Sequence, residues 1–255
     1  MYAFDYDTGR LAVTTPRYST AIVPDSRGAF AYGGIDPARL FGSGQTVAAN
    51  VGGTPPGAFG IVVADKRGRE VLASQHARAL ALRLVRAPRG QLVHPRAYPA
   101  VPYAGPFGLI EAHGTVARRG LRIRAAHRFT RNAITSRWRV TCARRCNRYR
   151  VRAHFPTAGV DATIDAYRRD GSRLRLAGPG ARPGARVALS QVALLTLGRG
   201  YRLIPISRPA GATLLAVAVP PEATNPSPGP SLAVELTGSG GFRERTLAVR
   251  IEPTA

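Results

Sequence analysis

Leu121-Arg-Ile-Arg-Ala-Ala-His-Arg-Phe129 sets arginine at 122, 124 and 128 against leucine, isoleucine and phenylalanine at 121, 123 and 129. Side chains of an extended strand point alternately to opposite faces, so this segment has one face to bury and one to leave in water. The alternation recurs at Arg137 and Arg139 around Trp138 and Val140, and at Arg148, Arg150 and Arg152 around Tyr149, Val151 and Phe155. It appears again at Arg173 and Arg175 around Leu174 and Leu176. Read as successive neighbours, these segments predict one arginine-covered sheet face above an apolar core. Like charges directly opposite one another weaken a sheet, so a face this basic points to an acidic partner. The alternative is that carboxylates such as Asp161, Asp165 and Asp170 interleave with the arginines and nothing binds.

The charge balance agrees. Among 255 residues, 37 are basic and 14 acidic, for a net charge of +23, and Lys66 is the only lysine. Such a field concentrates anions, and the planar fork of arginine suits phosphate and carboxylate alike. Nucleic acid, acidic polysaccharide and an anionic cell surface all qualify on charge alone. Nucleic acid fits the aromatic pattern poorly, because Trp138, Tyr149 and Phe155 fall on the apolar side, where they cannot stack on bases. No recognition helix or RNA-binding signature is present. The expected partner is therefore an acidic polysaccharide or an acidic protein domain, with no specific nucleic acid.

A hydrophobic fraction of 44% is ordinary for a folded chain of this length. Short apolar segments separated by glycine and proline predict an all-β fold, a large antiparallel two-sheet sandwich in a single domain over residues 1–255. One short helix is expected at Asp36–Phe41, where Asp36 is an N-cap and Pro37 occupies the first helical position. Strands are expected on either side of Pro16, over 58–64 and over 70–74. The segment 77–86 fits helix or strand, and 88–106, with its prolines, reads as an irregular surface excursion. Two hairpins are expected: one joining the Trp138 and Tyr149 segments with a longer loop or bulge at its tip, and one joining 232–236 to 246–251. No apolar run reaches 18 residues, so no membrane-spanning helix is expected. Met1-Tyr-Ala-Phe-Asp reads as a strand already under way, so the chain is either cytosolic or the C-terminal part of a longer exported protein.

Catalytic motifs are sparse. There is no G-x-S-x-G elbow, no P-loop, no dinucleotide fingerprint and no H-E-x-x-H, and neither a cofactor nor a metal is expected. Cys142 and Cys146 flank Ala-Arg-Arg and either form a disulfide, which would favour an oxidising compartment, or remain two free thiols. His127 falls on the apolar side of its strand and reads as an interior histidine. His154 falls in line with Arg148, Arg150 and Arg152. A histidine among cations has its pKa depressed, which suits a general base.

Ala12 to Phe41, with Thr15-Pro16-Arg17-Tyr18 placed on a strand, resembles the C-terminal β-sandwich of heparinase II/III-like and alginate-lyase-like polysaccharide lyases. The long strands from Gly114 to Leu176 suit the same two-sheet architecture. The resemblance implies binding of uronic-acid polysaccharide and an extracellular or cell-surface location. It implies β-elimination, in which basic groups neutralise the carboxylate and a tyrosine or histidine removes the C5 proton. Most of that catalytic set usually sits on a helical toroid preceding the sandwich, so the domain is expected to be accessory and inactive alone. On this reading Tyr18 and His154 are the candidate catalytic residues. Arg17, Arg137, Arg139, Arg148, Arg150 and Arg152 are the candidate substrate contacts.

Overall fold

The computed structural model describes residues 2–5, 10–22, 60–74, 81–92, 102–157, 161–198, 200–218, 229–237 and 241–254. The regular structure of the described chain is antiparallel strand with one short 3-10 turn, the strands numbered here in chain order. A nine-stranded sheet runs β14 (Arg173–Ala177), β13 (Ile164–Arg168), β16 (Val192–Leu197), β17 (Tyr201–Pro205), β20 (Phe242–Pro253), β11 (Ile134–Cys146), β10 (Leu121–Phe129), β9 (Ile110–Arg118) and β6 (Ala81–Arg86). A six-stranded sheet runs β15 (Arg186–Ala188), β18 (Thr213–Val217), β19 (Ser231–Glu235), β12 (Tyr149–Pro156), β4 (Gly60–Asp65) and β5 (Glu70–Ala73). These two form the sandwich. A third, five-stranded sheet was not anticipated: β3 (Ser19–Ile22), β2 (Arg10–Thr14), β1 (Tyr2–Asp5), β8 (Pro102–Gly105) and β7 (Gln91–Leu92).

The alternation of the decisive stretch is realised residue by residue. Leu121, Ile123, Ala125, His127 and Phe129 are buried, while Arg122, Arg124 and Arg128 are exposed. Strand β10 meets β9 through a two-residue hairpin in which Arg119 and Gly120 both have positive φ, 50° and 79°. That is a type I′ turn, whose twist matches the flanking strands and whose second position favours glycine. On the inner face Trp138 of β11 meets Phe155 of β12 edge-on, with ring centroids 6.1 Å apart, and this contact bridges the two large sheets. Buried tyrosines tie the layers with hydroxyl hydrogen bonds to main chain. Tyr201 donates to the Pro156 carbonyl at 2.7 Å, joining nine-stranded to six-stranded sheet. Tyr18, beyond β2, donates to Thr130 at 2.6 Å.

Several sequence expectations need correction. β11 and β12 do not pair as a hairpin: β11 pairs with β10 and β20, and β12 with β4 and β19, so the chain crosses between sheets after Cys146. β19 and β20 likewise belong to different sheets. Between β15 and β16 a 3-10 turn at Leu189–Gln191 carries the chain from one layer to the other. Within 88–106, β7 and β8 complete the third sheet, and the ambiguous 77–86 is strand from Ala81. Thr15–Tyr18 is a turn, with Thr15 N–H donating to the Tyr18 carbonyl at 2.8 Å and the Thr15 hydroxyl accepting from Arg17 and Tyr18 N–H. The helix expected at Asp36–Phe41 lies outside the described residues.

His127 occupies the core, with Nδ1 2.9 Å from Ser136 Oγ and its ring edge-on to Trp138. Burial, with a smaller contribution from His113, pushes its pKa down to about 4. Unfolding returns it to about 6.5, so between those values the unfolded chain binds more protons. The stability carried by neutral His127 is complete above pH 6.5 and is lost as pH falls toward 4. Thermal unfolding followed by circular dichroism is expected to show a falling Tm across this window. His127→Phe combined with Ser136→Ala should make that fall shallower, with His154, whose pKa burial also lowers to about 4, supplying part of the remainder. An unchanged slope would show that the His127 imidazole does not titrate with unfolding.

Candidate anion-binding cleft

The sandwich divides the arginines between two surfaces that face away from each other. Arg122, Arg124, Arg128, Arg137 and Arg139 lie on the outer side of the nine-stranded sheet, and Arg148, Arg150 and Arg152 belong to the six-stranded sheet. The expected single arginine face is thus corrected to two, because alternation assigns a residue to inside or outside but not to a sheet.

On the nine-stranded face, carboxylates interleave with the arginines. Glu111 lies 3.5 Å from Arg128, Glu244 pairs with Arg139, and Glu252 holds Arg202 and Arg250 at 2.6 and 2.7 Å. Asp165, with a side chain 5% exposed, accepts from Arg173 at 2.7 Å and Arg175 at 3.0 Å. Burial pushes the Asp165 carboxyl up, but the hydrogen bonds from Arg173 and Arg175 outweigh it and hold it below the ordinary value. Arg124 stands directly opposite Arg139 in the ladder, a like-charge pair relieved by Glu244, which sits on β20 two residues from Thr246, the partner of Arg139. Exposed pairs of this kind contribute about 0–1 kcal/mol each, so the carboxylates serve mainly to dilute the field. Arg122, Arg124 and Arg137 have no acidic partner among the described residues.

The six-stranded sheet is different. Its outer side carries a cleft of about 740 Å³ lined by Lys66, Arg148, Arg150, Arg152 and Arg186, with Glu235 as the single carboxylate. β12 supplies Arg150 and Arg152 at alternate positions. Lys66 comes from the turn after β4, Arg186 from the start of β15, and Glu235 from the end of β19. Arg152 Nη2 lies 3.3 Å from Glu235, leaving its Nε buried with no hydrogen-bond partner among the described residues. Thr213, Thr237, Asn147 and Tyr149 complete the lining with hydroxyl and amide groups.

The approach to the cleft is braced. Cys142 and Cys146 are joined by a disulfide, with Cα atoms 6.2 Å apart. It closes a bulge in β11 between Thr141, opposite Glu244, and Cys146, opposite Phe242. Asn147 and Arg148 follow at once and enter the cleft, so the disulfide limits where they can stand.

The candidate residues separate as follows. Arg148, Arg150 and Arg152 are brought together in the cleft, whereas Arg137 and Arg139 lie on the other large sheet. His154 shares the outer side of β12 with them but is 5% exposed, and burial, then Arg152, push its pKa down to about 4. Arg17 is exposed in the turn before Tyr18. Tyr18 is buried, its hydroxyl bonded to main chain, and burial raises its pKa well above the ordinary value. Lys66, Arg186, Glu235 and Tyr149 were missed as cleft residues. The first three are isolated charges that only strand pairing brings together, and Tyr149 was assigned wholly to the core. Among the described residues no group of histidine, cysteine and carboxylate side chains is placed to hold a metal ion, and no helix is long and apolar enough to cross a membrane.

No protein-family model and no curated protein matches this chain. Among solved structures it is similar to the GH36 α-galactosidase AgaB of Geobacillus stearothermophilus, with TM-score 0.47 and 12% identity, covering 100% of this chain and 41% of that one. It is also similar to a putative aldose 1-epimerase of Escherichia coli K12, with TM-score 0.49 and 11% identity, covering 98% and 99%. A third is the α-galactosidase of Lactobacillus brevis, with TM-score 0.40 and 9% identity, covering 99% and 40%. The chain spans about two fifths of the length of either α-galactosidase. None of the three is a polyuronate lyase, and at TM-scores below 0.5 they carry neither substrate nor mechanism to this chain.

The Tyr18 geometry gives a test. Tyr18→Phe removes one hydrogen bond to main chain, a loss of about 1 kcal/mol and roughly 2–4 °C in Tm for a chain of this size. Anion binding, measured by calorimetry, should be unchanged. Lost binding at an unaltered Tm would instead give the hydroxyl a functional role.

Proposed function

We propose that this chain is a β-sandwich domain that engages an acidic, uronic-acid polysaccharide, accessory to or derived from a polysaccharide lyase. The observation that supports it is the cleft: five cations against one carboxylate, in a concave site that also presents hydroxyl, amide and aromatic groups. Concavity matters because low-dielectric walls focus the field of the lining charges and reduce its screening by salt. Guanidinium forks suit the carboxylates that repeat along a polyuronate. Tyr149 offers part of a ring for the apolar face of a sugar. The disulfide fits an exported protein, which is where such polymers are met.

The domain is proposed to bind rather than cut. Elimination needs a base at the sugar C5 and a donor at the leaving oxygen. Tyr18 is committed to the main chain near Thr130, and His154 is not among the residues lining the cleft. A second reading, a structural or interaction module docking on an acidic protein domain, draws on Arg122, Arg124 and Arg137 of the nine-stranded sheet.

Both readings meet one experiment. Polygalacturonate, alginate, hyaluronan and heparin are titrated against the protein at several salt concentrations, with neutral dextran and single-stranded DNA as controls. Arg148→Ser, Arg150→Ser and Arg186→Ser together should weaken polyuronate binding by at least about tenfold, since hydrogen bonds to charged groups are worth roughly 1.5–3 kcal/mol each. The salt dependence should become shallower. Arg122→Ser, Arg124→Ser and Arg137→Ser should change little. The reverse result would sink the cleft and favour the second reading, and tighter binding of DNA than of any polyuronate would sink the ligand class. The absorbance of unsaturated uronate should stay flat throughout.

A further inference from the structure

Three polar atoms on the outer side of the six-stranded sheet are buried without a hydrogen-bond partner among the described residues: Arg152 Nε, His154 Nδ1 and Ser231 Oγ. Strand register places them together. Arg152, His154 and Pro156 occupy alternate positions of β12 and stand opposite Glu235, Ala233 and Ser231 of β19. At about 3.3 Å per residue, the three atoms fall within a strip about 13 Å long and one strand spacing wide. Arg152 belongs to the cleft, and the strip runs from it toward residues that are less and less exposed: His154 is 5% and Ser231 0% exposed. The register neighbours of His154 on that side, Gly60 of β4 and Ala233, have no polar side chain to offer it.

Buried polar groups are rarely left unpaired, because each forfeits its hydrogen bonds to water. One such atom in a chain of this size is unremarkable. Three on adjacent strands, beginning at the cleft residue Arg152, form one unpaired row. The fourth of this kind, Arg168 Nε, is on β13 in the other large sheet and does not join them.

We propose that this strip is a ligand subsite continuous with the cleft, which takes a single uronic-acid unit through its carboxylate and its hydroxyl groups. The inference rests on the reading of the cleft as a polyuronate site. The donor and acceptor inventory selects the ligand. Arg152 only donates. Ser231 both donates and accepts, and a neutral His154 presents one donor and one acceptor nitrogen. Burial and Arg152 keep the imidazole neutral at pH 7. Glu235, beside Arg152, only accepts. A phosphodiester or a sulfate brings acceptors alone and would leave the acceptors of His154, Ser231 and Glu235 unmet. A sugar acid brings a carboxylate for Arg152 and hydroxyls that both donate and accept.

The test uses the full chain with ¹⁵N-labelled histidine. Sodium galacturonate, galactose and sodium sulfate are titrated in turn while the His154 ring signals, assigned through His154→Gln, are followed by NMR. Galacturonate should move them, galactose should move them more weakly, and sulfate should leave them in place. Ser231→Ala should weaken galacturonate binding by about fivefold, the loss of one neutral hydrogen bond of ordinary strength. Its Tm should be unchanged or higher, because it removes a buried unpaired hydroxyl, and its salt dependence should match the parent. His154 signals that ignore galacturonate, together with parental affinity in a folded Ser231→Ala, would overturn the subsite even where the polymer still binds. Equal movement with sulfate would overturn the selectivity. Movement with galacturonate in a protein whose polymer binding is indifferent to Arg148, Arg150 and Arg186 would keep the subsite and remove the cleft.

Discussion

A guanidinium at every second position leaves a strand one face that can be buried and one that cannot. Burying an unpaired charge costs far more than any single apolar contact returns, so the arginine rows dictate which way each strand turns. For β10 and β11 this sets Leu121, Ile123, Trp138 and Val140 inward, and for β12 it sets Val151 and Phe155 inward. Two sheets patterned this way can satisfy both faces only by closing on each other. The Trp138–Phe155 contact is where they meet, and the Tyr201 hydroxyl on the Pro156 carbonyl supplies a polar anchor within the apolar layer.

The same pattern explains what was and was not legible in the sequence. Alternation is a local property with a period of two, and it assigns inner and outer residues of β10 and of β11 from Ile134 to Val140 correctly, while on β12 it misses the half-exposed Tyr149 and the burial of His154. It says nothing about which sheet a strand joins, since both sheets of a sandwich are inward-apolar and outward-polar. At several of the places where the chain crosses between layers, among them those between β11 and β12, β15 and β16, and β19 and β20, the pattern resumes with no visible change. Hairpins were therefore expected at two of these places. β7 and β8 were hidden for another reason: they are short, and they lie in a proline-rich stretch whose composition signals irregular chain.

Site residues were legible to the extent that they lie on one strand. Arg150 and Arg152 fall at alternate positions of β12, and Arg148 stands in the bend just before it, so one short stretch of sequence carries all three. Lys66, Arg186 and Glu235 come from β4, β15 and β19, separated by long stretches of chain, and only pairing collects them. His154 was placed on the right side by alternation, but alternation carries no depth. Its ring is covered, which changes its meaning from an accessible base to a buried polar group beside the cleft residue Arg152 but outside the cleft lining.

On the proposed polyanion reading, the division of arginine between two surfaces also decides which of them would serve. The nine-stranded face has more arginines, yet Glu111, Glu244, Glu252 and Asp165 stand among them, and each would repel a polymer that carries only negative charge. Such a mosaic suits a partner that can answer both signs, as a protein surface does. The cleft has fewer arginines but one carboxylate, already held by Arg152. Its walls raise the field at the same point where hydroxyl groups converge. Total charge counts for less than the ratio of signs within a screening length, about 8 Å at physiological salt, and by that measure the smaller set is the stronger site.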